Sequence, residues 1–176
     1  MDKNLIRNNN KLLRKQLDIK KASDAILSKI YSLKEFLAAK NVLIFYPLKY
    51  EINLLPLLDY KEKNFFLPKV DGDNLLICPY SNNLKKSSFN VMEPDDGKIC
   101  SDLSIIDLAF IPALAVDKNM NRIGYGKGYY DRLFSNSNFR AKKVVVINKE
   151  LVVPLIEAQN FDKKIGLNRI KCVHIN

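Results

Sequence analysis

From residue 41 onward the apolar positions fall in short blocks. "NVLIFY" (41–46), "NFFLPKV" (64–70), "NLLICPY" (74–80), "DLAFIPAL" (107–114) and "KKVVVIN" (142–148) are rich in β-branched or aromatic side chains and are bounded by turn formers, the pattern of buried strands. Before residue 41 the period is helical. At roughly 100° per residue, Leu5, Ile6, Leu12, Leu13 and Leu17 share one face of a first helix, and Lys3, Arg7, Lys11 and Arg14 form a stripe nearly opposite. The stretch "ASDAILSKIYSLKEFLAA" (22–39) predicts a second helix capped by Ser23 or Asp24. Shorter helices are expected at 53–60 and 128–134. Strands alternating with helices predict a layered α/β/α single domain over 1–176 with a largely parallel central sheet. "YSNNLKKSSFN" (80–90) and "EPDDGKICSD" (93–102) read as polar surface loops, and no internal repeat or long linker interrupts the chain.

Composition narrows the setting. At 176 residues and 47% hydrophobic side chains, the chain is long enough to bury a core without staples. Cys78, Cys100 and Cys172 are odd in number and far apart, which excludes a disulfide framework or a C-x-x-C zinc site and predicts buried thiols in a reducing compartment. The first ten residues have no apolar signal core, and the longest apolar run, near "LAFIPALAV", is about half the ~18 residues of a membrane span. A soluble cytoplasmic protein with no membrane partner is expected. The net charge of +10 favours anionic ligands without saying which, and a solvated lysine-rich surface with no ligand is the leading explanation for much of it.

The candidate chemistry is unusual in having almost no histidine. His174, three residues from the end, is the sole one and reads as solvated, so catalysis falls to carboxylates, Lys/Arg, Tyr, backbone amides or a bound ion. Attention goes to "NRIGYGKGYYDRLF" (121–134), which holds three of the six glycines at alternate positions. Glycines before a helix start let a ligand approach main-chain N–H groups, and Arg122 and Lys127 add positive charge. The pattern is neither a Walker A loop nor a dinucleotide fingerprint. Spacing alone leaves a phosphate cradle and a plain strand-to-helix turn equally open.

The longer stretch "PALAVDKNMNRIGYGKGYYDR" resembles the signature of the 5-formyltetrahydrofolate cyclo-ligases, also called 5,10-methenyltetrahydrofolate synthetases. The Arg, the three Gly, both Tyr and the Asp of that signature are present. Shorter matches keep the family's order: "KNLIR", "FYPLKYEIN", "FFLPKV", "MEP" and "NFDKKI". Departures are Met120 at a usual Gly, Ala113 and Val116 for Gly and Phe, Asn53 and Leu54 after Glu51, Leu151 near a common Gln, and Phe161 before Asp162.

The resemblance implies a NagB/RpiA/CoA-transferase-like fold and an ATP- and Mg-dependent ligase that cyclises 5-formyltetrahydrofolate to 5,10-methenyltetrahydrofolate. It implies that Lys3, Asn4, Leu5, Ile6 and Arg7 bind ATP together with Arg122, Ile123, Gly124, Tyr125, Gly126, Lys127, Gly128, Tyr129 and Tyr130. Tyr46, Glu51 and the stretch from Tyr125 to Tyr129 would contact the folate, polyglutamylated or not. Arg122, Lys127 and Tyr129 would act in catalysis, and Asp131 and Asp162 would hold Mg2+. The resemblance further implies a monomer. A nucleic-acid-binding module is the competing reading of the charge and the basic first helix, and a sugar-phosphate isomerase is a third; the family resemblance implies no nucleic-acid partner.

Overall fold

The computed structural model describes residues 2–156 and, as backbone, a strand at 170–173. Asp162, Phe161 and His174 lie outside the described residues. Among the described residues there are four α-helices: α1 (Lys3–Leu13), α2 (Ile19–Tyr31), α3 (Lys34–Ala38) and α4 (Tyr129–Ser135). The strands, in chain order, are β1 (Asn41–Leu43), β2 (Asn64–Asp71), β3 (Asn74–Pro79), β4 (Leu84–Lys86), β5 (Met92–Pro94) and β6 (Leu108–Pro112). They continue with β7 (Ala115–Asp117), β8 (Arg122–Ile123), β9 (Lys142–Val146), β10 (Val152–Val153) and β11 (Ile170–Val173).

Each of the five apolar blocks supplies one strand of the main sheet, whose order is β11-β9-β6-β1-β2-β3. All its pairings are parallel except the β2–β3 hairpin. Both faces are covered, which is why these blocks read as continuous hydrophobic runs. Alternate residues sort to opposite sides. Val42, Ile44, Phe65, Leu67, Phe110 and Val144 pack with Ile26 and Ile30 of α2 and Phe36 of α3. Leu43, Phe66, Ala109, Ile111 and Val145 pack with Leu133 of α4, Phe139, and the partly buried Leu13 and Leu17. The expected three-layer order therefore holds.

Several local expectations are corrected. The first helix turns a different face inward: Lys3, Ile6 and Asn10 are buried, followed by Arg14, while Leu5 and Leu12 are 52% and 59% exposed. Polar groups occupy this buried face because each finds a partner. Asn10 Nδ2 donates to the Leu114 carbonyl at 2.7 Å, and Arg14 Nε to the Tyr50 carbonyl at 2.7 Å. Such bonds offset the desolvation cost that excludes unpaired polar groups. The second helix breaks at Ser32–Leu33 into α2 and α3, and its cap is Asp18, which accepts the Lys21 N–H at 3.0 Å. Ser23 sits inside the helix, buried, donating to the Ile19 carbonyl and accepting the Asn53 N–H.

The helix expected at 53–60 is a short 3-10 turn at Leu55–Asp59. The polar stretches expected as loops contain the β4–β5 hairpin, whose Glu93 is buried and accepts the Val70 N–H at 3.3 Å. Cys78 is buried as expected, whereas Cys100 is only half-buried. No helix among the described residues is long and apolar enough to cross a membrane.

A second, small sheet, β10-β7-β8, lies beneath α1. Ile6, Leu114, Ala115, Ile123 and Ile156 form its core. Between β7 and β8 the chain turns through Met120, at φ +63°. That left-handed position is where Gly is the conformationally relaxed choice. The turn is held by Asp117, whose carboxylate is 1% exposed and accepts four hydrogen bonds, each at 2.9 Å. The donors are the Asn119, Asn121 and Ile156 backbone N–H groups and Asn121 Nδ2.

Candidate functional site

The parallel strands β1 and β6 end side by side, and a cleft of about 1270 Å³ opens where their chains leave the sheet at Phe45–Tyr46 and Pro112. Open α/β sheets bind ligands at this carboxyl edge. The β2–β3 hairpin supplies one wall with Pro68, Val70 and Leu75, and the β4–β5 hairpin supplies Phe89 and Val91. The cleft's cationic lining has two sources: Lys3 and Arg7 come from α1, and Arg122 and Lys127 from the glycine-rich segment.

That segment leaves β8 and enters α4 through two left-handed glycines, Gly126 at φ +99° and Gly128 at φ +71°. A side chain at either would be strained. Space matters as well. A Cβ on Gly124 would stand 2.8 Å from Arg122 Nη1, and one on Gly128 would stand 2.8 Å from Arg132 Nη1. A Cβ on Gly126 would lie 3.7 Å from the Arg7 guanidinium. Gly124 and Gly128 thus leave room for the Arg122 and Arg132 heads, while Arg7 rests against Gly126 at an ordinary contact distance.

Each head is oriented. Arg122 Nη1 donates to the Pro112 carbonyl at 3.0 Å, its Nη2 lies 3.3 Å from Asp131 Oδ1, and its guanidinium stands 5.5 Å from the Tyr130 ring centre. Only 6% of this side chain is exposed, and its buried Nε has no hydrogen-bond partner among the described residues. Arg7 Nε donates to the Gly124 carbonyl at 3.1 Å, and Asn4 Oδ1 accepts from Arg7 Nη1 at 2.6 Å. Arg132 Nε donates to the Asp73 carbonyl at 2.6 Å and Nη2 to the Lys127 carbonyl at 2.9 Å, so it ties the β2–β3 tip to the loop. Tyr129 joins the same tie by donating to the Gly72 carbonyl at 3.3 Å, and Phe89 meets its ring edge-on.

Glu51 closes the deep end. Its Oε2 accepts the Leu48 N–H at 2.8 Å and its Oε1 accepts the Tyr125 hydroxyl at 2.7 Å. Arg14 Nη1 donates to that hydroxyl in turn. Burial first, and then the Glu51 charge, push the Tyr125 and Tyr130 hydroxyls well above the ordinary tyrosine value, so both remain protonated donors.

Of the sequence-derived candidates, Lys3, Arg7, Tyr46, Glu51, the whole run from Arg122 to Tyr130, and Asp131 line this one cleft. Asn4 does not line it but orients Arg7, Leu5 faces outward, and Ile6 is packed in the small core. Arg14, Arg132 and Phe89 carry site contacts that were not expected. Arg14 lay in the basic stripe, seven residues after Arg7, which is the one sequence signal for it. Arg132 closes the quoted signature stretch without having been given a role, and Phe89 had no signal. Among the described residues no three acidic, His or Cys side chains cluster to hold a metal. Asp131, with 63% of its side chain exposed, presents hard oxygen donors to the cleft, which suits an ion that keeps several waters and takes phosphate oxygens as partners.

Fold and cleft together define a layered α/β domain whose cleft, at the carboxyl edge of the sheet, is lined by cationic, apolar and aromatic side chains. Residues 2–166 match the model of the 5-formyltetrahydrofolate cyclo-ligase family, and the chain belongs to that family, a family of ligases. It is 30% identical over 151 residues to the "Probable 5-formyltetrahydrofolate cyclo-ligase" of Schizosaccharomyces pombe, covering 75% of this chain and 74% of that one. It is 34% identical over 110 residues to the 5-formyltetrahydrofolate cyclo-ligase of Mycoplasma genitalium, covering 60% and 57%. The NMR structure of Aquifex aeolicus 5,10-methenyltetrahydrofolate synthetase superposes with a TM-score of 0.80 at 30% identity, over 93% of this chain and 86% of that one. The 5,10-methenyltetrahydrofolate synthetase of Mycoplasma pneumoniae shares the fold with a TM-score of 0.74 at 20% identity, over 98% of each chain.

Proposed function

We propose that this protein is an ATP- and Mg-dependent enzyme that converts 5-formyltetrahydrofolate to 5,10-methenyltetrahydrofolate, with residues 1–176 acting as one catalytic domain in a cytoplasmic monomer. The observation that carries the reading is that one cleft gathers cationic side chains together with apolar and aromatic ones. Its volume exceeds the roughly 300–1,000 Å³ of single-ligand pockets, which suits two substrates side by side. The layered sheet also supports a NagB/RpiA/CoA-transferase-like assignment of the architecture.

In this reading Lys3, Arg7, Arg122 and Lys127 hold the ATP phosphates, with the loop amides from Ile123 to Tyr130 around them. Tyr46, Glu51 and the ring of Tyr125 receive the folate. Glu51 accepts hydrogen bonds from pterin N–H groups through the lone pairs that Leu48 and Tyr125 leave over. An amide oxygen is a poor leaving group. The γ-phosphoryl group therefore passes from ATP to the formyl oxygen, releasing ADP. Transfer of this kind depends mainly on positioning and charge stabilisation, the task of Arg122, Lys127 and Tyr129 here. Mg2+, held by Asp131 and Asp162, would neutralise phosphate charge.

The test is a spectrophotometric assay with purified protein. Methenyl-folate absorbance should rise only when 5-formyltetrahydrofolate, ATP and Mg2+ are all supplied, and no rise in the complete mixture would overturn the reading. A salt-dependent affinity for DNA or RNA without turnover would instead favour a nucleic-acid module. Lys3→Ala and Arg7→Ala should each weaken ATP binding by about tenfold, the worth of one charge-assisted hydrogen bond. Folate affinity should change less in both, as read by separate binding titrations; the opposite ranking would count against the phosphate role of α1.

A further inference from the structure

Arg14 sits just past the end of α1, with only 6% of its side chain exposed. A buried guanidinium is costly unless its donors are used. Here Nε donates to the Tyr50 carbonyl at 2.7 Å, Nη1 donates to the Tyr125 hydroxyl, and Nη2 stands 3.9 Å from Glu51 Oε1. One side chain therefore joins α1, the segment carrying Glu51 and the glycine-rich loop. The Tyr125 hydroxyl has a single proton, which goes to Glu51 at 2.7 Å. Because it accepts from Arg14, its direction is fixed, and the ring rather than the hydroxyl is what Tyr125 offers a ligand.

We propose that Arg14 is a positioning residue for the folate end of the cleft, fixing the Glu51 carboxylate through the Tyr125 hydroxyl. The inference rests on the functional reading above and adds a role for α1. Lys3 opens that helix, Arg7 lies near its middle and Arg14 follows its end, about 16 Å from Lys3 and about 10 Å from Arg7 along the axis at 1.5 Å per residue. A single rigid strut thus sets the distance between the phosphate-binding and pterin-binding groups. Nothing in this scheme requires Arg14 to touch either substrate.

The test is steady-state kinetics of Arg14→Gln, Arg14→Lys and Tyr125→Phe, with each substrate varied in turn. Arg14→Gln should raise the KM for 5-formyltetrahydrofolate by about tenfold or more while the MgATP KM stays within about twofold, the signature of lost binding at one end only. Arg14→Lys should recover little of this, because an ammonium cannot reproduce the three-way fork. Combining Tyr125→Phe with Arg14→Gln should add almost nothing to Arg14→Gln alone, since the hydroxyl relay is already broken once its guanidinium donor is gone.

Equal rises in both KM values would mean that Arg14 only supports the fold, and would overturn the proposal. So would an unchanged folate KM, or multiplicative effects in the double variant. Should Arg14→Gln not fold, Tyr125→Phe decides by itself: it must raise the folate KM by about threefold or more without moving that for MgATP. A wild-type protein that makes no methenyl product overturns the functional reading and this inference together. An active wild type with unselective variants overturns the inference alone.

Discussion

Asp131→Asn should lower kcat by at least about two orders of magnitude, the scale of losing one electrostatic group aimed at a transition state. The thermal midpoint should barely move. The substitution is isosteric and the carboxylate is 63% exposed, so the fold loses only the 3.3 Å contact with Arg122. Half-exposed ion pairs of this kind contribute ~0–1 kcal/mol. The two roles open to Asp131 therefore differ in size. A purely structural partner of Arg122 would leave turnover within a fewfold of wild type, whereas a metal ligand would take most of it away and raise the Mg2+ concentration needed for half-maximal rate. Near-normal kcat with unchanged Mg2+ dependence would rule out the metal assignment.

The largest effect on stability should come from Asp117→Ala, at about 3 kcal/mol, or about 10 °C in the thermal midpoint for a chain of this size. The buried Ile156 N–H loses its only acceptor among the described contacts, and the strained turn at Met120 loses the carboxylate that organises it. Burial alone would raise the Asp117 carboxyl, but the hydrogen bonds from Asn121, Ile156 and Asn119 outweigh it and hold the group below its usual value. The sign of the pH dependence follows. With the folded value depressed, Asp117 contributes stability above the unfolded carboxyl value, near 3.9, and loses it as pH falls through the folded value. Urea unfolding from pH 7 to pH 3 should show wild type and Asp117→Ala converging at the acid end. Parallel curves would assign the acid sensitivity to other carboxylates.

The sheet was legible because its strands are covered on both faces and so appear as uninterrupted apolar runs. The first helix was legible as a helix, but its buried face was not, because that face is Lys3, Ile6, Asn10 and Arg14. Periodicity counts leucines and has no means of knowing that carbonyls of Leu114 and Tyr50 wait for Asn10 and Arg14. The glycine segment was legible as a loop of special backbone, but spacing could not say that the missing side chains leave room for Arg122 and Arg132, or that Arg7 rests against Gly126. Those contacts join residues as far apart as 7 and 126, or 73 and 132, and only the tertiary fold brings them together. The resemblance supplied Glu51 and Asp131; the relay through Arg14 required coordinates.

The three arginines crowded on Gly124, Gly126 and Gly128 also have a thermodynamic consequence. Arg122 alone has a carboxylate partner among the described contacts, so the loop carries like charges held close by covalent geometry and carbonyl bonds. A polyanion bound against the loop would meet all of these charges at once. ATP should therefore raise the melting temperature more in low salt than in high salt, because dissolved ions screen the same charges before the ligand arrives. Differential scanning fluorimetry across an ionic-strength series reads this directly, and a ligand-induced shift independent of salt would mean that the arginines contribute nothing to holding the ligand.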